Sequence, residues 1–282
     1  MNNKLSVRLA VFKRMSKLLS VFCRGLVLAL LAVGVPLQAK TLNLVGNKVA
    51  TYIDEHELPA RQMDLVYAAL SDPNLKANWQ LQITATTQAW SGSGLKSGKF
   101  SGYIDHYSLN QPKDNYVYSL PYIQLDLHAV SRYQSVENVL RLEQLYRERV
   151  GIENRFANTD RLRGERDVSW ARAPSFFDNM KQLAEGRVDY LLADKAMIAE
   201  MNILLKGVGE KPVYVSSIPL FKVDLTLAMK KGFKGAEKVI SDFNEAATSL
   251  KNSPEYNQLM QSDLARESLL DEKIYTDMLR KW

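Results

Sequence analysis

Two short apolar stretches of the chain end on acidic residues, and the carboxyl ends of strands are where an open α/β sheet presents groups to a ligand. The stretch EGRVDYLLAD (185–194) turns at Gly186 and ends on Asp194. Its brief apolar run predicts a strand that is buried on both faces. A carboxylate in this position either contacts a ligand or caps the helix that follows. Both roles remain open for Asp194.

The second stretch, FSGYID (100–105), ends on Asp105 and is followed by His106. An acid beside a histidine is typical of acid–base catalysis or of a metal site. The three histidines, at positions 56, 106 and 128, do not have metal-ligand spacing,. No Ser/His/Asp order, P-loop or dinucleotide-binding glycine motif is present either. We therefore expect no metal, no cofactor and no enzymatic activity.

The elements around these stretches alternate between strand and helix, which predicts α/β units with parallel sheets. The Gly/Ser stretch 91–99 predicts a turn before the strand at 100–105,. With the residues before them (95–105 and 183–194), the two acid-terminated stretches share the order helix, Gly, basic residue, apolar strand, acid, so we expect two similar lobes that meet at a cleft. Strands are expected at 41–46, 79–86, 100–105, 116–132, 149–154, 187–194 and 212–232, and helices at 58–72, 136–145, 174–186, 195–206 and in the C-terminal tail.

The basic character of the chain is confined to its N-terminal segment. Six of the 37 basic residues and none of the 31 acidic residues lie in residues 1–39, so the remainder has no net charge. This distribution excludes a nucleic-acid-binding or lipid-binding surface as the cause of the net charge of +6,.

Residues 1–39 have the features of a secretory signal peptide. A basic region precedes the apolar run GLVLALLAVGV, and PLQA lies before Lys40,. We expect cleavage near Ala39 and a periplasmic location; an uncleaved anchor is the alternative, and Met15 is an alternative start. The single cysteine, Cys23, lies in this segment, so the exported chain has no disulfide and no thiol nucleophile,.

Five segments, in order, are similar to motifs of one known family. They are LKSGKFSGYI (95–104), YSLPY (118–122), RVGIEN (149–154), LAEGRVDYLLAD (183–194) and LTLAMKKG (225–232). Together they resemble the family 3 (amino-acid type) extracellular solute-binding proteins of bacterial ABC importers. The resemblance implies the type II periplasmic binding fold, with two α/β lobes of mixed or parallel sheet flanked by helices. Two hinge strands would join the lobes, which close over a small ligand.

The resemblance also implies domain boundaries. The first lobe would contain residues 40–130 and, after the chain returns, residues 223–282 with the C-terminal helices. The second lobe would contain residues 131–222. The chain would cross between lobes near 129–133 and 219–223.

In the first lobe, the resemblance assigns ligand contacts to residues after the strand at 100–105. Ser108 matches a hydroxyl position of the family and His106 replaces another. Lys113 falls where the family has an arginine that clamps the ligand carboxylate, and a lysine lacks that planar bidentate fork. The alternative for Lys113 is a solvated loop residue. Tyr52, after the first strand, would stack on a ligand or pack in the core.

In the second lobe, Asp194 occupies the family position that takes the ligand's ammonium group through a charge-assisted hydrogen bond. The family's Gly-Thr-Thr turn reads here as Arg155-Phe156-Ala157, with Asn158 and Thr159 as the nearest substitutes. Arg155 is a candidate to replace the missing first-lobe arginine.

We therefore expect a monomeric periplasmic protein that captures a small polar solute, amino-acid-like or an organic acid, for an ABC importer. Its partner would be an inner-membrane permease. The alternatives are a stand-alone sensory or accessory protein that contacts a membrane signalling protein, and a dehydratase-like enzyme that uses His106 and Asp194.

Overall fold

One mixed sheet runs through the part of the chain that the computed structural model describes, namely residues 40–47, 66, 68–72, 79–86 and 88–260. The expected signal segment and Tyr52 lie outside these residues. Within them, no helix is both long enough and apolar enough to cross a membrane. The strands are β1 (Lys40–Asn47), β2 (Trp79–Thr86), β3 (Gly102–Tyr107), β4 (Tyr116–Tyr118), β5 (Ile123–Ser131), β6 (Arg149–Glu153), β7 (Ser169–Ala173), β8 (Tyr190–Asp194), β9 (Tyr214–Val215) and β10 (Phe221–Lys230).

Helices cover the sheet. Residues 66 and 68–70 are helical, and two 3₁₀ helices span Gln134–Asn138 and Leu142–Leu145. The α-helices are α1 (Gln88–Ser97), α2 (Asn154–Ala157), α3 (Asp160–Gly164), α4 (Phe176–Ala184), α5 (Lys195–Gly207), α6 (Ala236–Lys251) and α7 (Pro254–Met260).

The strand order, β2-β1-β3-β10-β5-β8-β6-β7, divides the sheet into two groups joined by its central strands. β5 and β10 are antiparallel to each other, and each continues past the other to pair with one group. We call β1–β4 with α1, α6 and α7 the first lobe, and β6–β9 with α2–α5 the second lobe. This two-lobed mixed α/β architecture with two hinge strands confirms the expected fold class. The residue boundaries at 130 and 222 stay a prediction.

Local sequence signals set the second-lobe helix α4 and the strand that follows it. Ser175 caps α4, because its Oγ accepts a hydrogen bond from the amide of Asp178 at 3.2 Å,. Gly186, at φ +66°, ends this unit in the left-handed conformation that glycine adopts without strain,. The apolar face of α4 packs with that of α5 and with β8 in a core that includes Phe176, Met180 and Leu191. The predictions for 174–186, 187–194 and 195–206 are therefore confirmed.

Two predictions of local structure are wrong. The Gly/Ser stretch 91–99 is not a turn, because α1 continues to Ser97. Gly94 provides close packing, since a Cβ there would lie 2.3 Å from a ring carbon of Phe100, and Gly98 at φ +81° follows the helix. The region 136–145 is not one helix but two 3₁₀ turns separated by extended residues. The side chain of Gln144 accepts the amides that a continuous helix would have used.

Candidate functional site

The carboxyl ends of β3 and β8 face each other across the hinge strands. β3 ends at Tyr107, which pairs with Leu225 of β10. β8 runs in the opposite direction and ends at Asp194, which pairs with Leu127, and Leu127 pairs with Phe221 of β10. Because a strand rises roughly 3.3 Å per residue, the two ends are offset by about 13 Å along the strand direction, and β10 and β5 lie between them across the sheet,. The two acid-terminated stretches of the sequence therefore meet at one interlobe cleft.

A cavity of about 310 Å³ lies at this cleft, beside the end of β3. Residues from both lobes line it. Among the predicted site residues, those in its wall are His106, Lys113, Arg155 and Asn158.

His106 presents one imidazole nitrogen without an ordinary hydrogen bond. It is 7% exposed, and its Nδ1 lies 3.2 Å from the hydroxyl of Thr226. Its Nε2 is buried and makes no hydrogen bond of normal geometry within the described part of the chain. Burial lowers the pKa of His106, with the charge of Lys113 acting in the same direction, although the Gln111 backbone opposes the shift,. The ring is therefore neutral at neutral pH.

Lys113 and Arg163 bring positive charge to the cavity from opposite lobes. The amide of Lys113 donates to the hydroxyl of Tyr118 at 2.8 Å, which fixes the loop. Neither the Lys113 ammonium nor the Arg163 guanidinium makes an ion pair with any described residue. Asp160, also in the cavity wall, accepts the amide of Gln111 at 2.9 Å. The cavity wall therefore contains cationic side chains suited to binding an anion, together with a carboxylate.

Arg155 also lines the cavity, but its guanidinium already has partners. Its Nη2 donates to Glu153 Oε1 at 3.0 Å, and its Nε lies 3.0 Å from Glu153 Oε2. Burial lowers the pKa of Arg155, but the Glu153 carboxylate and Tyr107 outweigh burial, so the pKa is raised overall. Arg155 therefore differs from Lys113 and Arg163, whose charges have no counterion among the described residues.

The hydroxyl groups of Ser108 and Thr159, both predicted to contact a ligand, form hydrogen bonds with backbone groups. The amide of Asp224 donates to Ser108 Oγ at 2.9 Å, and the Thr159 hydroxyl donates to the Phe156 carbonyl at 2.6 Å. Neither residue is among the described residues that line the cavity. Asn158 lines it, and its Oδ1 accepts a hydrogen bond from Arg172 at 3.3 Å.

Asp194 is buried, at 8% exposed, on the cleft-facing end of β8. It is not among the described residues in the wall of this cavity. Its role as an ammonium contact stays a prediction.

Glu153, Asp160 and Arg163 were not predicted from the sequence. Glu153 is the last residue of the apolar strand β6, as Asp194 is of β8, so its position at a strand end could have identified it. Asp160 and Arg163 belong to the short, charge-rich helix α3, whose pattern is that of an ordinary solvated helix.

Neither protein-family models nor curated protein sequences give a match to this chain. Solved structures do. The amino-acid ABC transporter substrate-binding protein AbpA from Streptococcus pneumoniae, bound to L-arginine, is 14% identical with a TM-score of 0.57. The match covers 82% of this chain and 97% of that one.

Two further structures extend the likeness beyond transport proteins. The GluR0 ligand-binding core in complex with L-glutamate is 11% identical with a TM-score of 0.60, covering 83% of this chain and 98% of that one. A histidine kinase sensor domain with similarity to periplasmic binding proteins is 15% identical with a TM-score of 0.58, and the match covers 83% of this chain and 97% of that one. The chain therefore has the two-lobed type II fold of the amino-acid-binding periplasmic proteins, as its sequence motifs predicted.

Proposed function

We propose that this protein is a periplasmic solute-binding protein that captures a small polar solute between its lobes. The observation that carries the proposal is the interlobe cavity, where Lys113 and Arg163 have no counterion and His106 Nε2 has no ordinary hydrogen bond among the described residues. A volume of about 310 Å³ is at the lower end of the range for small-molecule sites, roughly 300–1,000 Å³.

The charges in the cavity support an amino-acid-like or organic-acid solute. Lys113 and Arg163 approach from different lobes, so an anionic group between them would favour closure. Arg163 supplies the bidentate fork that Lys113 lacks. Asp105 and Asp160 in the wall, and Asp194 at the end of β8, are carboxylates suited to an ammonium group,.

We further propose that residues 1–39 direct export and are removed near Ala39, and that the exported monomer delivers its solute to the permease of an ABC importer. The composition of the leader and the likeness to an ABC substrate-binding protein support this,.

A thermal-shift screen with acidic, zwitterionic and neutral solutes tests capture. A ligand that binds only the folded state raises the unfolding midpoint, and we expect solutes with a carboxylate to do so. Arg163→Ala should weaken that shift, since it removes a charge-assisted contact worth about 1.5–3 kcal/mol, or roughly 10- to 150-fold in affinity. Arg161→Ala is the matched control, because Arg161 lies on the same helix and pairs with Glu165 at the surface. Equal losses in both variants, or no shift with any carboxylate, would contradict the proposal.

A sensory role is the second candidate, favoured by the likeness to the histidine kinase sensor domain. Neighbouring genes distinguish the two: a permease and an ATPase favour transport, whereas a sensor kinase or cyclase favours signalling. We do not propose the dehydratase-like reaction, because His106 lines the cavity and Asp194 is not among its described lining residues.

A further inference from the structure

The guanidinium of Arg155 lies in a pocket of the kind that proteins build for a bound cation. Glu153 pairs with two of its nitrogens, and the ring of Phe156 lies 4.4 Å from its central carbon. The sulfur of Met197 is 3.4 Å from Nη2. The Arg155 and Glu153 side chains are only 10% and 5% exposed. A carboxylate, an aromatic ring and a thioether therefore surround this desolvated cation.

This pocket is closed from the other lobe by Tyr107. The rings of Tyr107 and Phe156 meet edge to face, with centroids 5.5 Å apart. The Tyr107 hydroxyl is buried without a hydrogen bond of normal geometry, yet it lies near enough to the guanidinium to help raise the pKa of Arg155. The side chain of Arg155 is thus enclosed by groups of both lobes.

Backbone contacts join the lobes beside the same pocket. The amide of Arg161 donates to the carbonyl of Leu109 at 3.0 Å, and the amide of Gln111 donates to the Asp160 carboxylate at 2.9 Å. Tyr107 and Leu109 share one hydrophobic core with Phe156 and other second-lobe residues. Arg155 of the second lobe and Tyr107 of the first therefore meet where the two lobes touch.

We propose that Arg155 is an internal ligand: its guanidinium occupies a cation subsite made by Glu153, Phe156, Met197 and Tyr107, and through Tyr107 it holds the two lobes together. The subsite suits a planar guanidinium, because both Glu153 carboxylate oxygens lie 3.0 Å from its nitrogens and the ring of Phe156 lies 4.4 Å from its central carbon,. This role of Arg155 does not depend on which solute the cavity takes.

Chemical rescue tests the subsite. Arg155→Ala empties it and leaves the Glu153 carboxylate buried without a counterion, so we expect the unfolding midpoint to fall by about 6–20 °C. Guanidinium chloride at about 10 mM should restore part of that loss. At ten times its dissociation constant the added cation favours the folded state about eleven-fold, which corresponds to about 3–6 °C. Equal sodium chloride should restore nothing.

Two controls make the rescue specific. The wild-type protein should not be stabilised by guanidinium, because its subsite is filled. Arg149→Ala removes an exposed ion pair with Asp189 and an exposed hydrogen bond to the Gly186 carbonyl, so it should leave the midpoint within about 2 °C and show no rescue. If Arg155→Ala is not rescued, or if Arg149→Ala is rescued equally, the internal-ligand proposal is overturned.

The closing role has its own measurement. Spin labels on Lys96→Cys in the first lobe and Glu210→Cys in the second, in a Cys23→Ser background, report the distance between lobes. We expect one narrow distance in the solute-free protein and a longer, broader distribution in Arg155→Lys, which keeps a charge but loses the fork. The Lys variant serves even where the Ala variant does not fold. Identical distance distributions for the wild-type protein and Arg155→Lys would refute the proposed role of Arg155 in holding the lobes together.

Discussion

Replacing Phe156 tests whether the two lobes pack against each other through a buried aromatic contact. Phe156 is fully buried and contacts Tyr107 of the first lobe and the guanidinium of Arg155. Truncating a buried Phe to Ala costs about 3–5 kcal/mol, from lost transfer free energy and the cavity left behind. Since domains are stable by about 5–15 kcal/mol in total, Phe156→Ala should remove about a fifth or more of the free energy of unfolding. Urea denaturation followed by circular dichroism measures this loss.

A double-mutant cycle isolates the interlobe part of that loss. Phe156→Leu and Tyr107→Leu keep much of the volume but remove the edge-to-face geometry. We expect a coupling free energy of about 0.5–1.5 kcal/mol between them. Phe177→Leu is the control, because Phe177 is 5% exposed in the separate core of α4 and α5. The changes in free energy of unfolding caused by Phe177→Leu and Tyr107→Leu should be additive within about 0.5 kcal/mol. A loss below about 1 kcal/mol for Phe156→Ala, or additivity of the Phe156 and Tyr107 variants, would refute the packing argument.

Two further predictions concern the strand that presents the site and its histidine. Gly102→Ala should destabilise the protein by about 1–3 kcal/mol or more, because a Cβ there would lie 2.3 Å from the Ala228 carbonyl oxygen and separate β3 from β10. Gly232→Ala is the control, because no atom lies within 4 Å of its added Cβ. Equal urea midpoints for the two variants would contradict this prediction. Burial lowers the pKa of His106 below its ordinary value of 6.5, so the unfolded chain binds more protons and the folded protein should lose stability as the pH falls below 6.5. His106→Gln should make this decline shallower, as measured by urea midpoints from pH 7.5 to 5. Part of the decline should remain in the variant, because burial also lowers the pKa of His128. A steeper decline in the variant would show that the pKa shift of His106 has the opposite sign.

Much of the fold follows from local sequence signals. The strand–helix alternation and the short apolar strands predicted an α/β sheet, and β2, β3, β6 and β8 occur where those runs lie. Signals within one element are reliable when a cap and a stop agree, as Ser175 and Gly186 do at the two ends of α4,.

Local signals failed where one side-chain contact outweighed propensity. The glycines of α1 suggested a turn, yet Gly94 is small so that the ring of Phe100 can approach the helix. At 136–145 the apolar spacing suggested a helix, but the Gln144 side chain takes up backbone amides and the chain bends between two 3₁₀ turns. A single side-chain contact of this kind leaves no periodic trace in the sequence.

The sequence by itself determined which residue types are available at the strand ends. His106 follows the first acid-terminated stretch and Asp194 ends the second, and both positions could be read from pattern alone. Only the tertiary structure decided which charges are neutralised. Arg155 is paired with Glu153 and enclosed by Tyr107, whereas Arg163 enters the cavity with no counterion among the described residues. Glu153 and Arg155 lie only two residues apart, and the sequence does not distinguish such a pair from an exposed one; burial of the pair depends on how β6, α2 and Tyr107 pack around it.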